Sequence, residues 1–376
     1  MRNSPFSFGK SDRLKGMMRQ RGLTLIELMV SLVLGLILIG GVLNIFVSNR
    51  ETFRVTENLA RMQENARTGF DFMARDLRET GQNPCGTHLV SNVIRSASNA
   101  IPWWANWNKG TMIGVDGSQD RTDIVAFGTT AKTRVAGTDA VLVIRADQDE
   151  KTIQSHNATT YDITLPTVTG LDVDDVVMAC DLKGAAIFQI GTINSGTKVV
   201  SYDPALAGLN CGGHLRFLAP VDNCPTTDIT LTAGGLLAKL TATFWYVGYN
   251  DKGQRSLYRT RIIKKTIAGV STITTEPEEI VPGVQDMQMQ YLAKSAITGT
   301  LALDWVEATD AATFPGATST ATGNWRTDDP TNQPNQAVAV RVTMTLQSDE
   351  KVGTDQLPIQ RQLIHVVGLR SRDTIF

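Results

Sequence analysis

From Leu28 to Val47 the chain reads LMVSLVLGLILIGGVLNIFV, a run without a charged residue, bounded by Glu27 and Arg50, in which Ser31 and Asn44 are the only polar side chains. About 20 apolar residues are what a helix needs to cross the hydrocarbon core of a bilayer. A helix wrapped inside a large soluble core would read similarly. Position near the start of the chain and polar flanks favour insertion, and no comparable run follows, so a single-pass anchor is expected.

Ahead of it stand Arg2, Lys10, Arg13, Lys15, Arg19 and Arg21 against Asp12 alone. That excess predicts a cytoplasmic N-terminal end and an extracytoplasmic remainder. A secretory signal would place a small-residue cleavage site after the apolar run. Only Ser48 offers one; the break in pattern comes before the run, at Arg21-Gly22-Leu23.

The segment RGLTLIELMVSLVLG at 21–35 resembles the class III signal of type IV prepilins and pseudopilins: a basic leader ending in glycine, an apolar first mature residue, a glutamate at the fifth mature position and a long apolar helix. The resemblance implies cleavage by a prepilin peptidase between Gly22 and Leu23, N-methylation of Leu23 and a role for Glu27 in subunit assembly. Met17 and Met18 offer alternative starts to Met1, giving a shorter leader. The expected division is a leader over 1–22, a transmembrane assembly helix over 23–48, an amphipathic extension over 49–80 and a head over 81–376, with a long loop around 292–337. Glu27 also carries its own physics. A carboxylate at the apolar end of a helix is costly unless protonated or paired. The amine freed at Leu23, on the same or an adjacent subunit, is a fitting partner, while a lone anchor would simply hold Glu27 at the membrane boundary. Ser31 and Gly35 form a small-xxx-small pair that permits close helix approach.

Beyond the apolar run, Val55, Leu59, Met62, Ala66, Phe70, Met73 and Leu77 recur at spacings of three and four, the stripe of an amphipathic helix. Charges of both signs fill the other face, with Glu57–Arg61 and Asp71–Arg75 at ion-pair spacing. The stripe fits a coiled-coil partner or the protein's own head. Gly81 and Pro84 mark the helix end. Past them the period drops to two. Strands are expected at Asp123–Phe127, Val141–Arg145, Tyr161–Leu165, Asp175–Ala179, Ala186–Ile190, His214–Leu218, Leu240–Tyr249, Ser256–Ile262, Val284–Tyr291, Ala339–Leu346 and Gln362–Leu369. The expected fold is α+β and pilin-like: a long N-terminal helix, membrane-spanning in its first half, packed against a predominantly antiparallel β-sheet head.

Further blocks resemble the PilW family of minor pilins: ARDLRETGQNPCG at 74–86, FWYVGYNDKGQRSLYRTRI at 244–262, EEIVPGVQDMQMQYL at 278–292, AVRVTMTLQS at 339–348 and VVGLRSRD at 366–373. Gln82 departs from the aromatic residue this family places after the glycine. The J-type minor pseudopilins of type II secretion share leader, stem and β head. PilW resemblance implies a structural or priming subunit near a pilus tip, with consequences for twitching motility, and as partners other minor pilins, the major pilin and the inner-membrane assembly machinery, with membrane lipid before assembly.

The remaining features weigh less. Cys85, Cys180, Cys211 and Cys224 permit two disulfides in any of three connectivities. Cys85 is placed to staple stem to head, and Cys211 with Cys224 to close a local loop. A metal site is not expected, since no Cys-x-x-Cys unit occurs and His88, His156, His214 and His365 are dispersed. Asp116, Ser118 and Asp120 match the opening ligands of a calcium loop, but Arg121 and Phe127 stand where its glycine and terminal glutamate belong. Trp103, Trp104 and Trp107 suit either a contact surface, as in an anchored adhesion module, or packing in the head. No phosphate loop, HExxH or Ser/His/Asp constellation appears, so neither enzyme nor cofactor is expected. Net charge is −1 for the chain and −6 without residues 1–22, which offers nothing to a nucleic acid.

Overall fold

The computed structural model describes residues 24–86, 90–96, 99–107, 110–215, 224–267, 270–295, 301–308, 324–325, 335–352 and 357–369. Gly22, Leu23 and the rest of the expected leader lie outside these residues, as does His88. One helix, α1 (Leu25–Arg78), accounts for all the α structure among them. The chain divides into two compact units, one ending at Val55 and one beginning at Thr56.

In the first unit α1 exposes nearly every side chain, from Leu25 at 79% to Val47 at 64%. This part is long and apolar enough to cross a membrane.

Among the described residues of the second unit the last turns of α1 precede seventeen strands. These are β1 (Val90–Asn92), β2 (Met112–Val115), β3 (Ala140–Ala146), β4 (Lys151–Thr152), β5 (Ser155–Asn157), β6 (Asp162–Thr164), β7 (Val176–Cys180), β8 (Ala185–Gln189), β9 (Thr192–Asn194), β10 (Val199–Ser201), β11 (Leu236–Tyr249), β12 (Arg255–Ile267), β13 (Val270–Pro282), β14 (Val284–Ser295), β15 (Asn324–Trp325), β16 (Asn335–Val352) and β17 (Leu357–Gly368). The largest sheet runs β1-β8-β7-β11-β3-β2-β15, with β4 and the β12–β13 hairpin attached through β11. A second sheet orders as β5-β6-β10-β9 and a third as β14-β16-β17. Among the described strands every ladder is antiparallel except β1 with β8.

Alternation along the central strands explains the layering. On β3, Val141 and Val143 enter the core that holds α1, whereas Leu142 and Ile144 enter a second core with Trp104, Phe244 and Tyr246. A strand buried on both faces must be apolar throughout, as AVLVIRA is. The stripe Met62, Ala66, Phe70, Met73, Leu77 lies between Trp245, Leu257 and Val281 of the largest sheet and Met289, Val342 and Val367 of the third. The stem therefore packs on its own head. Gly69 leaves room for two side chains of the sheet: a Cβ there would stand 3.2 Å from both Leu257 Cδ2 and Val281 Cγ2. The helix stops as expected at Gly81, whose φ of +70° suits glycine and whose N–H donates to the Ile144 carbonyl at 3.0 Å. Gly283 (φ +81°) turns the chain from the largest sheet into the third.

Several expectations change. Asp123–Phe127 is a turn held by an Arg121–Asp123 ion pair and by Phe127 N–H donating to Asp120, not a strand. His214 and Leu215 carry no strand, and the rest of that segment lies outside the described residues. β13 escaped the periodicity because Glu276, Pro277, Glu278, Glu279 and Pro282 interrupt it; as an edge strand it tolerates them. The loop expected at 292–337 begins later, since β14 continues to Ser295 and Val306 pairs back onto Tyr291. Asp71 pairs with Arg67 (3.8 Å) rather than Arg75, which reaches Glu79 (3.5 Å); Glu57–Arg61 forms at 2.6 Å.

Disulfides join Cys85 to Cys180 and Cys211 to Cys224. The first ties the segment leaving α1 to β7 and spans 95 residues; the second spans 13. Loop-closure entropy scales with that span, so removing the first pair costs roughly 4–5 kcal/mol and the second roughly 3. In equilibrium urea unfolding of the detergent-solubilised protein, the Cys85→Ser/Cys180→Ser variant is expected to lose more than Cys211→Ser/Cys224→Ser.

Candidate assembly helix

The first turn of α1 is built by Thr24-Leu25-Ile26-Glu27, a Ser/Thr-x-x-Glu capping box. Thr24 Oγ1 accepts the Glu27 N–H at 3.3 Å, and Glu27 Oε2 accepts both the Thr24 N–H (3.1 Å) and the Thr24 hydroxyl (3.0 Å). Glu27 thus closes the helix end with one carboxylate oxygen, and Oε1 accepts no hydrogen bond among the described residues. The TLIE spacing was the available signal for this cap; reading Glu27 only as a charge in search of an amine passes over it. Ser31 needs no outside partner, because its hydroxyl donates to the Leu28 carbonyl at 3.0 Å. At Gly35, Gly40 and Gly41 a Cβ would meet nothing within 4 Å, so within one chain their smallness serves no packing.

At the other end of the helix a polar lock crosses the core. Trp245 Nε1–H donates to Asp76 Oδ2 at 2.9 Å, with Trp245 fully buried and Asp76 7% exposed. Burial raises the Asp76 pKa, against the opposing pull of the Trp245 hydrogen bond and of Arg145 and Arg259. One turn on, Glu79 pairs with Arg145 of β3 at 3.2 Å and accepts from Gln148. Arg259 of β12 sits over the Phe72 and Trp245 rings at 5.8 and 5.5 Å and pairs with Glu278 at 2.8 Å. A cationic pair beside the buried carboxylate offsets part of its desolvation. Neither Asp76 nor Trp245 stood out in the sequence, since they are 169 residues apart.

Where Asp116, Ser118 and Asp120 matched a calcium loop, a guanidinium takes the cation's place. Arg134, fully buried, donates to the carbonyls of Asp116 (3.1 Å), Gln119 (2.8 Å) and Thr138. Asp116 Oδ1 is occupied by Ser118, and Asp120 Oδ1 by Phe127 N–H. Asp139 closes the same loop onto β14, its two oxygens accepting Gly117 N–H (2.8 Å) and Met289 N–H (2.7 Å). Burial pushes its pKa up to about 6. Arg134, by the same cause, falls to about 10 and remains charged at neutral pH.

The other candidates resolve as packing. Trp104 and Trp107 are buried in the second core and Trp103 is half-buried, which removes the exposed aromatic cluster that an adhesive surface would use. His156 Nδ1 accepts Leu231 N–H, leaving Nε2 to meet the Tyr202 hydroxyl at 2.7 Å. Among the described residues no group of three His, Cys, Asp or Glu side chains is arranged to hold a metal ion.

With this geometry in place, comparison with known families adds one result. The model of the prokaryotic N-terminal methylation motif matches residues 17–43. These residues bracket the Gly22-Leu23 bond and include Thr24, Glu27 and most of the exposed apolar half of α1. The match supports a type IV pilin-like or pseudopilin subunit with a prepilin-type signal, which implies processing by prepilin peptidase. No curated protein matches the chain.

Trp245→Phe leaves a buried carboxylate oxygen unpartnered and is expected to cost about 1–3 kcal/mol in urea unfolding, whereas Asp76→Asn, which keeps an oxygen acceptor, costs less. Asp139 has its pKa raised on folding, so its contribution to stability is full below about pH 4 and declines as pH rises through about 6. Asp139→Asn is expected to abolish that component of the stability–pH profile between pH 4 and 6.5, in addition to a pH-independent loss from replacing one acceptor oxygen by an amide.

Proposed function

We propose that the chain is a minor pilin of the PilW kind, a non-catalytic structural subunit that primes or supports a type IV pilus near its tip. Removal of the leader at Gly22-Leu23 would precede assembly. The supporting observation is the conjunction at one helix end: a prepilin-type motif over residues 17–43, a helix whose apolar half is exposed among the described residues, and Glu27 held at its first turn. Two disulfides suit a head exported to an oxidising compartment, and the basic segment before the helix suits a single-pass topology with that head outside the cytoplasm.

The chemistry of Glu27 fits assembly better than anchoring alone. Its capping bonds use Oε2, so Oε1 is available to the methylated amine of Leu23 on a neighbouring subunit without unwinding the first turn. In a filament the exposed apolar side chains of α1 would exchange lipid for other stems, and the one-turn spacing of Ser31 and Gly35 would let two backbones approach. The head would then select its neighbours among the minor pilins.

The J-type pseudopilin is the second reading, because leader, stem and β head are common to both. The blocks at 244–262, 278–292 and 339–348, which form β11–β12, β13–β14 and β16, favour the PilW assignment.

Replacement of Gly22 is expected to leave a precursor of unprocessed size on immunoblots and to abolish incorporation into sheared filaments. Normal processing with unchanged piliation would defeat the assembly assignment. Glu27→Ala is expected to be cleaved normally but to assemble poorly; a simple anchor would show little effect.

A further inference from the structure

The third sheet ends on β17, and among the described residues the outer edge of that strand is unpaired. Leu369 N–H donates to the Val338 carbonyl at 2.8 Å, which sets the phase of the β16–β17 ladder. In that phase residues 361, 363, 365 and 367 exchange bonds with β16, while Gln362, Ile364, Val366 and Gly368 turn their N–H and C=O groups outward. No described residue pairs with those groups.

Two other long edges in the head are closed or blunted. Along β14, Met287 carbonyl accepts Asp139 N–H, Met289 N–H goes to the Asp139 carboxylate, and Tyr291 exchanges bonds with Val306. Along β13 stand Pro277 and three glutamates, which discourage pairing. Between Ile359 and Gly368, β17 has a single formal charge, Arg361, and its outward side chains Ile364 and Val366 are 63% and 51% exposed.

Beside this edge, between β17 and α1, lies a groove of about 320 Å³ lined by Ala66, Phe70, Leu363 and His365. It is wide enough for one large apolar side chain. Arg67 and Asp71 stand at its rim as an ion pair, so the groove itself carries no net charge, and the cation left over on this edge is Arg361. Arg361 is exposed and has no acidic partner among the described residues.

We propose that the β17 edge is a strand-addition site for an extended, acidic segment of another polypeptide. The incoming strand would take the outward backbone groups of Gln362, Ile364 and Val366, seat an apolar side chain in the groove and set a carboxylate against Arg361. Backbone bonds would supply affinity and the groove and cation selectivity. This site is independent of the filament reading and would serve an anchored binding protein equally.

The test uses the full-length protein in detergent micelles and a ten-residue peptide alternating Leu with Thr and carrying one central Glu, followed by amide hydrogen exchange. In the free protein the amides of Gln362, Ile364 and Val366 are expected to exchange fast, and saturating peptide is expected to slow them. Val366→Pro deletes one of those donors and is expected to weaken binding roughly tenfold or more. Arg361→Glu alters an exposed side chain, leaving the fold intact, and is expected to reverse the preference toward a peptide with Lys in place of Glu. Slow exchange in the free protein would mean that the chain's own residues or a second copy cover the edge and would overturn the proposal. Binding indifferent to Val366→Pro, or equal binding of the Glu and Lys peptides, would overturn it as well.

Discussion

Burial of the stripe Met62, Ala66, Phe70, Met73 and Leu77 between two sheets is the constraint on which the head depends. Three or four large side chains removed from water are worth several kcal/mol, but apolar contact alone does not fix a helix in rotation or height. The Asp76–Trp245 hydrogen bond does, because a carboxylate at this depth is tolerated only where its donor meets it. Gly69 leaves room for the Leu257 and Val281 side chains, and Cys85–Cys180 holds the segment after the helix against β7. Close packing, a directional bond and a covalent tie act within a few turns of one another.

The same helix changes its composition along its length. From Leu28 to Val47 it is apolar on all sides, the composition of a helix suited to apolar surroundings rather than to water. From Met62 it is apolar on one stripe and charged elsewhere, as a helix between protein and water must be. The capping box at Thr24 and Glu27 satisfies backbone donors at an end where, in an apolar medium, water is scarce.

Much of this was legible in the sequence because it rests on local periodicity. The helix, its stop at Gly81, the apolar segment, the α+β class and most long strands follow from spacings of 3.6 and 2. What stayed hidden depends on long-range partners. Asp76 looks like one more surface charge until Trp245 is placed beside it, and Arg134 and Asp139 give no sign that they brace a loop against β14. β13 was obscured by prolines and glutamates that an edge strand accommodates. The tryptophans read equally as surface or core, and only the packing of the second core decides for core.

The proposed account of the first unit and the stem turns on what becomes of the bond between Gly22 and Leu23. Its most direct test is mass spectrometry of the protein recovered from sheared filaments. A chain beginning with N-methylated Leu23 is the result the account predicts. A chain that retains its leader, or that is found only in the membrane fraction, would contradict it.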